Sequence, residues 1–313
     1  NTTFSLRNSS ITQSANSGDC CGRGGIINIE TARRVEFISV DIHNNGSLTQ
    51  EARFPINLVW INSGVLFENS KIRSNGFTQW LFQVYGTELT FTNSIIAENT
   101  SQWNDREIFN LEGSDVSLTM NHTTVYGNDQ SQEAGLFRIS YGTPSIEVYN
   151  SILDVNEVIN TSEDYTVSNS LLRIGNVFKG NGLNLGSNNI QSNIQLQSGY
   201  KLPATSPAIG LGDISLGNIR TDYNGWSRPL PAGSNPDAGA IEDSLAVGEF
   251  DILLSQCGNN LNISVLNTTA YNIEVTGPAN YLASNVNPAF MNILGQYSVT
   301  VYDSISESSI TKS

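Results

Sequence analysis

Positive charge is scarce in this chain. Its 313 residues hold 15 Lys and Arg against 29 Asp and Glu, a formal net charge of −14. Nucleic acid is an unfavourable partner, because phosphate binding needs clustered positive charge. An anionic membrane surface is unfavourable for the same reason. No apolar run approaches the ~20 residues that cross a bilayer as a helix, so no membrane insertion is expected. Cysteine is scarce too: Cys20 and Cys21 are adjacent and Cys257 is distant. Three cysteines make no disulfide framework, and no CxxC or His cluster suggests zinc. For Cys20 and Cys21 a vicinal disulfide and a reduced pair both stay open. No stripe of i, i+3, i+4, i+7 spacing points to a helix. No signal-peptide pattern precedes the first strand pattern, which begins near Asn1, so the chain reads as a mature or trimmed secreted protein. Its bias to Asn, Ser, Thr and Gly fits an extracellular β-rich chain.

What is present is a repeated phrase, apolar-x-apolar-x-Asn-Ser-x-apolar. Seven copies occur: Phe4 to Ile11, Val35 to Ile42, Val65 to Ile72, Leu89 to Ile96, Leu118 to Val125, Ile146 to Leu153 and Tyr165 to Leu172. Their fifth residues are Asn8, Ser39, Asn69, Asn93, His122, Asn150 and Asn169, stepping by 31, 30, 24, 29, 28 and 19. Steps of this size signal a repeat architecture. Each copy opens with strict alternation, the mark of a strand with one buried face. After the fifth residue the parity breaks, so the strand turns a corner there. The expectation is that this residue points inward and stacks on its equivalents ~4.8 Å away, each amide bonding its neighbours. His122 is expected to belong to the same ladder, with a catalytic role as the alternative.

A second apolar segment follows each of the first five copies after a polar loop: GGIINIE, FPINLVW, QWLFQVY, EIFNLEG and GLFRIS. One repeat is therefore strand, corner, loop, strand and return. The handedness of parallel connections favours a right-handed parallel β-helix of about seven turns.

From Asn184 the repeat is expected to dissolve. The phrases YKLPATSPAIGLGD, TDYNGWSRP and PDAGAIE follow between Tyr200 and Glu242. Ser206, Pro207, Ala208, Ile209 and Gly210, then Asp222, Gly225 and Arg228, then Asp237, Gly239, Ala240 and Glu242 resemble the closing segment of a large group of bacterial surface β-helix proteins. Gly210 departs from that pattern, where Asp is usual. The resemblance implies a right-handed parallel β-helix, exported or on the cell surface, over residues 1–243, with a closing segment at 200–243. It implies no single activity. Physically, an open β-helix end exposes strand edges that must be covered, and Asp222, Arg228 and Asp237 are expected to act as structural cap residues there.

Residues 245–313 change character. FDILLSQ, NLNISVLN, YNIEVTG, FMNILG and QYSVTVYDS read as short strands with turns between them, a small antiparallel β-sandwich. Gly295 to Ser304 resembles the last strand of the Ig-like repeats of Bacteroidota adhesins. The motifs at Asp243-Ser244-Leu245 and Asp303-Ser304-Ile305 resemble O-glycosylation acceptors of that group, at Ser244 and Ser304. Asn-x-Ser/Thr sequons include Asn8, Asn45, Asn99, Asn121, Asn160, Asn262 and Asn267. Asn8 is expected to be shielded in the ladder and unmodified.

Catalysis is poorly provided for. The chain has four Lys (Lys71, Lys179, Lys201, Lys312), none clustered in the repeat register, as a lyase would need. Paired Asp residues close on one face, as in a hydrolase, and pectinase-like phrases such as Gly-His-Gly are missing. Hence no catalytic residue, metal site or cofactor is assigned; no motif supports Ca2+. Loops after the corner are expected to project from one edge and gather Asp19, Arg23, Arg53, Trp103, Asp105, Arg106 and Asp129 as candidate ligand-binding residues, where an exposed Trp beside charges suits a sugar ring. The expected function is a non-catalytic extracellular structural or adhesive module. Its expected partners are neighbouring domains of a longer chain, a surface glycan, or copies of itself stacked head to tail through the first strand edge. The alternatives are a polysaccharide lyase or hydrolase, or a glycan-binding β-helix that uses the loop face.

Overall fold

In the computed structural model the chain is described at residues 2–12, 26–45, 56–77, 79–101, 107–128, 135–155, 157–160, 165–173, 177–179, 183–185, 187–203, 205–217, 219–229, 234–242, 251–257, 260–266, 272–284, 289–291, 295–303 and 308–312. It is all-β, with almost no helix, and its main body is a parallel β-solenoid of about four turns. Two compact units divide it: residues 1–229 with 234–242, and residues 243–313 with 230–233.

The repeated phrase builds two strand columns. The alternating half of each copy forms the first column, seen in Arg34–His43, Val65–Glu68, Glu88–Thr92, Ser117–Asn121 and Ser145–Tyr149. Its inward residues pair in unbroken register, Val35 with Val65 and Leu89, and Phe37 with Phe67 and Phe91. The half after the corner forms a second column, with Ile42, Ile72, Ile96 and Val125 stacked in the core. The apolar segments beyond the loops form the third column, Ile27–Glu30, Ile56–Val59, Phe82–Tyr85, Phe109–Glu112 and Gly135–Tyr141. Every pairing within these columns is parallel, as the sequence pattern predicts.

Aromatic rings give the core its stiffness. Phe37, Phe67 and Phe91 stack face to face at 4.5 and 4.9 Å, and Phe82 lies on Phe109 at 4.8 Å. The two stacks meet edge to face, Phe82 against Phe91 at 5.5 Å and 84°. Both arrangements are favoured by the ring quadrupole. Phe91→Leu keeps an apolar group but loses both ring geometries. It is expected to cost about 1–1.5 kcal/mol, measured by urea unfolding followed at a tryptophan signal.

The marked corner residues require a correction. Asn8, Ser39, Asn69, Asn93, His122, Asn150 and Asn169 do form the corner, all with φ between 46° and 55°. This left-handed region is costly for most residues and tolerated best by Gly and Asn. They do not point inward: Asn8 and Ser39 are exposed and Asn69 is half-buried. The left-handed kink turns the following residue into the core instead. That residue is Ser70, Ser94, Thr123, Ser151 or Ser170, all buried. The serine hydroxyls accept the backbone N–H of the rung before: Ser70 N–H bonds Ser94 Oγ at 3.2 Å, and Ser151 N–H bonds Ser170 Oγ at 3.1 Å. The Asn preference is thus a backbone requirement, and the inner ladder is one of hydroxyls.

A buried Asn ladder does exist, six residues further on. Asn45, Asn75, Asn99 and Asn128 stack with Nδ2 donating to the next Oδ1 at 3.0, 3.0 and 2.9 Å. Each of the four is at most 2% exposed.

The repeat also continues where it was expected to dissolve. Leu183–Leu185 pairs with Tyr165–Ser168, and Ile190–Ser192 pairs with Leu171–Arg173. Asn188 takes the left-handed corner there, and Asn189 Oδ1 accepts Ser170 N–H in place of a serine.

The closing segment needs a second correction, because it lies along the flank of the solenoid. Asn93 Nδ2 donates to Thr221 O, Asn121 Nδ2 to Leu216 O at 2.7 Å, and Asp213 N–H to Asn150 Oδ1 at 2.8 Å. This strap buries the corners at Asn93, His122, Asn150 and Asn169. It also covers the outer face of the second column: Ala240 and Ile241 pack on Ile95 and Ala97, and Leu202, Ala208 and Ala238 on Ile152 and Leu171. Gly239 permits the close approach, since a Cβ there would lie 2.7 Å from Ile152 Cδ1.

The second unit contains a three-stranded and a four-stranded antiparallel sheet. Ile263 and Ala289 of the first share one core with Ile273, Val275 and Val299 of the second.

Candidate functional site

The outward face of the third column carries a groove of about 480 Å³. Alternation in FPINLVW, QWLFQVY and EIFNLEG turns Asn57, Gln83 and Asn110 outward in one row, in register with one another. The next outward row is Val59, Tyr85 and Glu112. Asn57 and Gln83 line the floor, with Asn110 buried beside them. Asn57 Nδ2 donates to Asn28 Oδ1 at 2.6 Å, and Asn110 Nδ2 donates to Gln83 Oε1 at 2.8 Å and to Glu112 Oε1 at 2.7 Å. Between Asn57 and Gln83 the row is not bonded. Asn57 Oδ1 and Gln83 Nε2 have no hydrogen-bond partner among the described residues.

Rings make the two walls. Trp60, 55% exposed, occupies the corner at the end of its strand with φ 49° and meets Tyr85 edge-on at 5.2 Å. The next corner is Gly86, where a Cβ would lie 2.8 Å from Trp60 Cδ1, so its glycine makes room for the indole. Trp80 stands at the opposite end of the strand. Its Nε1 donates to Glu107 Oε2 at 3.2 Å, and the Arg138 guanidinium lies 5.7 Å from its ring centre. A bulge between Leu111 and Glu112 sets Tyr141 opposite Glu112. Tyr141 leans onto Tyr85 at 5.9 Å, and the hydrogen bond with Tyr85 pushes its hydroxyl up to about 12. That direction unfits it as a base near neutral pH.

A second cluster sits beneath the strap. Arg228 Nη1 pairs with Glu242 Oε2 at 3.0 Å and donates to Asp237 O at 2.8 Å; Nη2 donates to Gly239 O and Ala240 O. Asp222 Oδ1 accepts Asn224 and Trp226 N–H, and its Oδ2 accepts Glu242 N–H. Asp237 Oδ1 accepts Gly210 N–H at 2.7 Å. Asp222, Arg228, Asp237 and Glu242 are each at most 2% exposed. Asp222, Arg228 and Asp237 are thus brought together in a structural centre on the flank, not over the end of the stack.

His122 joins this centre. Its Nδ1 lies 3.1 Å from Asp237 O and faces Arg228 Nη1, and Asn150 Nδ2 donates toward its Nε2 at 3.2 Å. Burial, then the Arg228 charge, holds its pKa well below the ordinary imidazole value of 6.5. The unfolded chain therefore takes up this proton first as pH falls. Stability should drop below about pH 6.5, by up to about 1.4 kcal/mol per pH unit. Burial raises the Asp222 carboxyl above 3.8, an effect of opposite sign at lower pH. Melting temperatures compared near pH 7 and near pH 5 should show the loss in the native chain and not in His122→Asn.

The sequence-predicted ligand residues Asp19, Arg23, Arg53, Trp103, Asp105, Arg106 and Asp129 lie outside the described residues, as do Cys20, Cys21, Ser244 and Ser304. Among the sequons, Asn8 is exposed, against expectation, whereas Asn45 and Asn99 are locked in the buried ladder. Among the described residues no group of three or more His, Cys, Asp or Glu is placed to hold a metal, and no helix is long and apolar enough to cross a membrane. The groove escaped the sequence reading, although its signal is present: the third column shows amides and rings at outward positions where Ser, Thr or Lys would suffice. No family model matches the chain, and no curated protein or solved structure matches it.

Proposed function

We propose that this chain is a non-catalytic extracellular module, structural or adhesive in role, that binds through the groove on its third column. In this reading the seven copies are seven turns of a right-handed parallel β-helix, followed by an Ig-like sandwich. The observation that carries it is the chemistry of the groove. Its lining carboxylate, Glu112, accepts a hydrogen bond from Asn110, and Glu107 beyond the lining accepts one from Trp80. Tyr141, which leans on the lining residue Tyr85, has its phenol shifted away from use as a base. Rings and amides suit holding a ligand better than moving a proton. Incubation with polysaccharides, followed by chain-length analysis of the recovered glycan, tests this. The expected result is unchanged chain length; new reducing ends or unsaturated uronates that depend on the protein would overturn it.

A further inference from the structure

We infer that the groove binds a neutral polysaccharide segment lying along the solenoid axis, with a sugar hydroxyl bridging Asn57 and Gln83 and sugar ring faces against Trp60. This rests on the reading of the chain as a non-catalytic binding module and names its ligand. Three observations carry it.

The first is the break in the amide row. Asn28 to Asn57 and Gln83 to Asn110 are bonded pairs, but the rung between them is open. Amides one rung apart, ~4.8 Å between strands, bond directly at Asn28–Asn57 and at Gln83–Asn110, whereas Asn57 and Gln83 make no such bond and leave a place for a ligand oxygen between them. The open rung offers an acceptor, Asn57 Oδ1, beside a donor, Gln83 Nε2. A hydroxyl is both donor and acceptor and completes the row; a carboxylate can only accept, and would leave Asn57 Oδ1 facing a negative charge.

The second is the walls. Trp60 keeps 55% of its surface exposed while its position is fixed by Tyr85 and by the missing Cβ of Gly86. A rigid exposed indole beside hydrogen-bonding amides matches a sugar, which has one apolar ring face and a hydroxyl rim. The third is charge. Glu112 lines the groove and the whole chain carries −14, while the nearby cation Arg138 is placed over Trp80. A polyuronate or a sulfated glycan would meet net repulsion. The volume of about 480 Å³ accommodates a short segment of a few rings.

The test uses the full chain and a panel of neutral cello-, xylo-, manno- and malto-oligosaccharides, with oligogalacturonate and oligoalginate as charged counterparts. Binding is read by calorimetry and by tryptophan fluorescence. At least one neutral oligosaccharide should bind saturably. Trp60→Ala should weaken it about tenfold or more and Gln83→Leu about fivefold, with the melting temperature of Trp60→Ala near the native value because the indole is exposed. Leu282→Ala, at an exposed residue that does not line the groove, should leave it unchanged. The inference fails if no neutral member binds, if only the charged members bind, or if Trp60→Ala leaves binding at the native level. Cleavage of a bound oligosaccharide would sink the non-catalytic reading, whereas absence of binding without cleavage would sink only the ligand.

Discussion

Arg228→Ala is expected to destabilise the solenoid unit by about 3–5 kcal/mol, the usual effect of stranding one partner of a buried ion pair. For a unit of this size that is roughly a 6–20 °C fall in melting temperature. The guanidinium faces Glu242, Asp222 and Asp237, and it also donates to the carbonyls of Asp237, Gly239 and Ala240. Its removal uncovers buried negative charge and takes a donor from each of these carbonyls together. Burial pushes the Arg228 pKa down while Glu242, Asp222 and Asp237 pull it back, and arginine stays protonated regardless. The strap, held on the flank through this centre, should become sensitive to protease under conditions where the native chain is resistant. Adding Glu242→Gln to Arg228→Ala removes the stranded charge and should restore part of the loss. If the double variant is no more stable than the single one, Glu242 is not the stranded partner. A loss under about 1 kcal/mol from Arg228→Ala alone would mean that the pair behaves like a surface ion pair and that apolar packing alone holds the strap.

Asn99→Ala should be comparably severe, at roughly 3–5 kcal/mol, because about 1–3 kcal/mol attaches to each buried polar group left without a partner. Asn99 Oδ1 accepts both Asn75 N–H and Asn75 Nδ2, at 3.1 and 3.0 Å. Its Nδ2 donates to Ile72 O and Asn128 Oδ1, at 3.0 and 2.9 Å. Alanine strands Asn75 N–H and Ile72 O outright and weakens the two neighbouring amides. The informative comparison is Asn8→Ala, at a corner where the side chain is exposed. There only the left-handed backbone is at stake, worth about 1 kcal/mol. Urea unfolding of the two variants therefore separates two kinds of asparagine. Equal losses would show that the corner amides, not the inner row, hold the turns together.

That contrast also marks what the sequence could and could not convey. The strand columns were legible because alternation and a repeat of similar step fix a buried face and a stacking direction, as in Leu89, Phe91 and Ile96. The corner was legible because parity breaks at Asn93. The inward direction of Asn93 was misread: a ladder and a left-handed turn both favour Asn, and composition alone does not separate them. Asn45, Asn75, Asn99 and Asn128 recur at a constant six residues after the corner, a regularity hidden by the polar loops that begin there. The closing segment was expected over the end of the stack, although one row marks its true path. The outer residue of the second column runs Ser10, Asp41, Lys71, then Ile95, Thr124, Ile152, Leu171. The change from polar to mostly apolar shows where something covers it. The groove was not legible from a motif, because it arises from residues 26 or 27 apart that only the winding brings into one row, such as Asn57 with Gln83 and Tyr85 with Glu112.

The corner also has a consequence for how such a chain can change. Successive corners step by as many as 31 and as few as 19 residues, yet the rungs stay in register on the first and second columns. All variation in length is therefore absorbed between the columns. A residue inserted into a connecting segment leaves both flanking rungs untouched, whereas one inserted between Phe91 and Asn93 would shift every side chain of that rung. The molecule behaves as a rack with interchangeable inserts: its shelves are fixed by a kink and a hydroxyl, and what each shelf carries can be exchanged without rebuilding the rest.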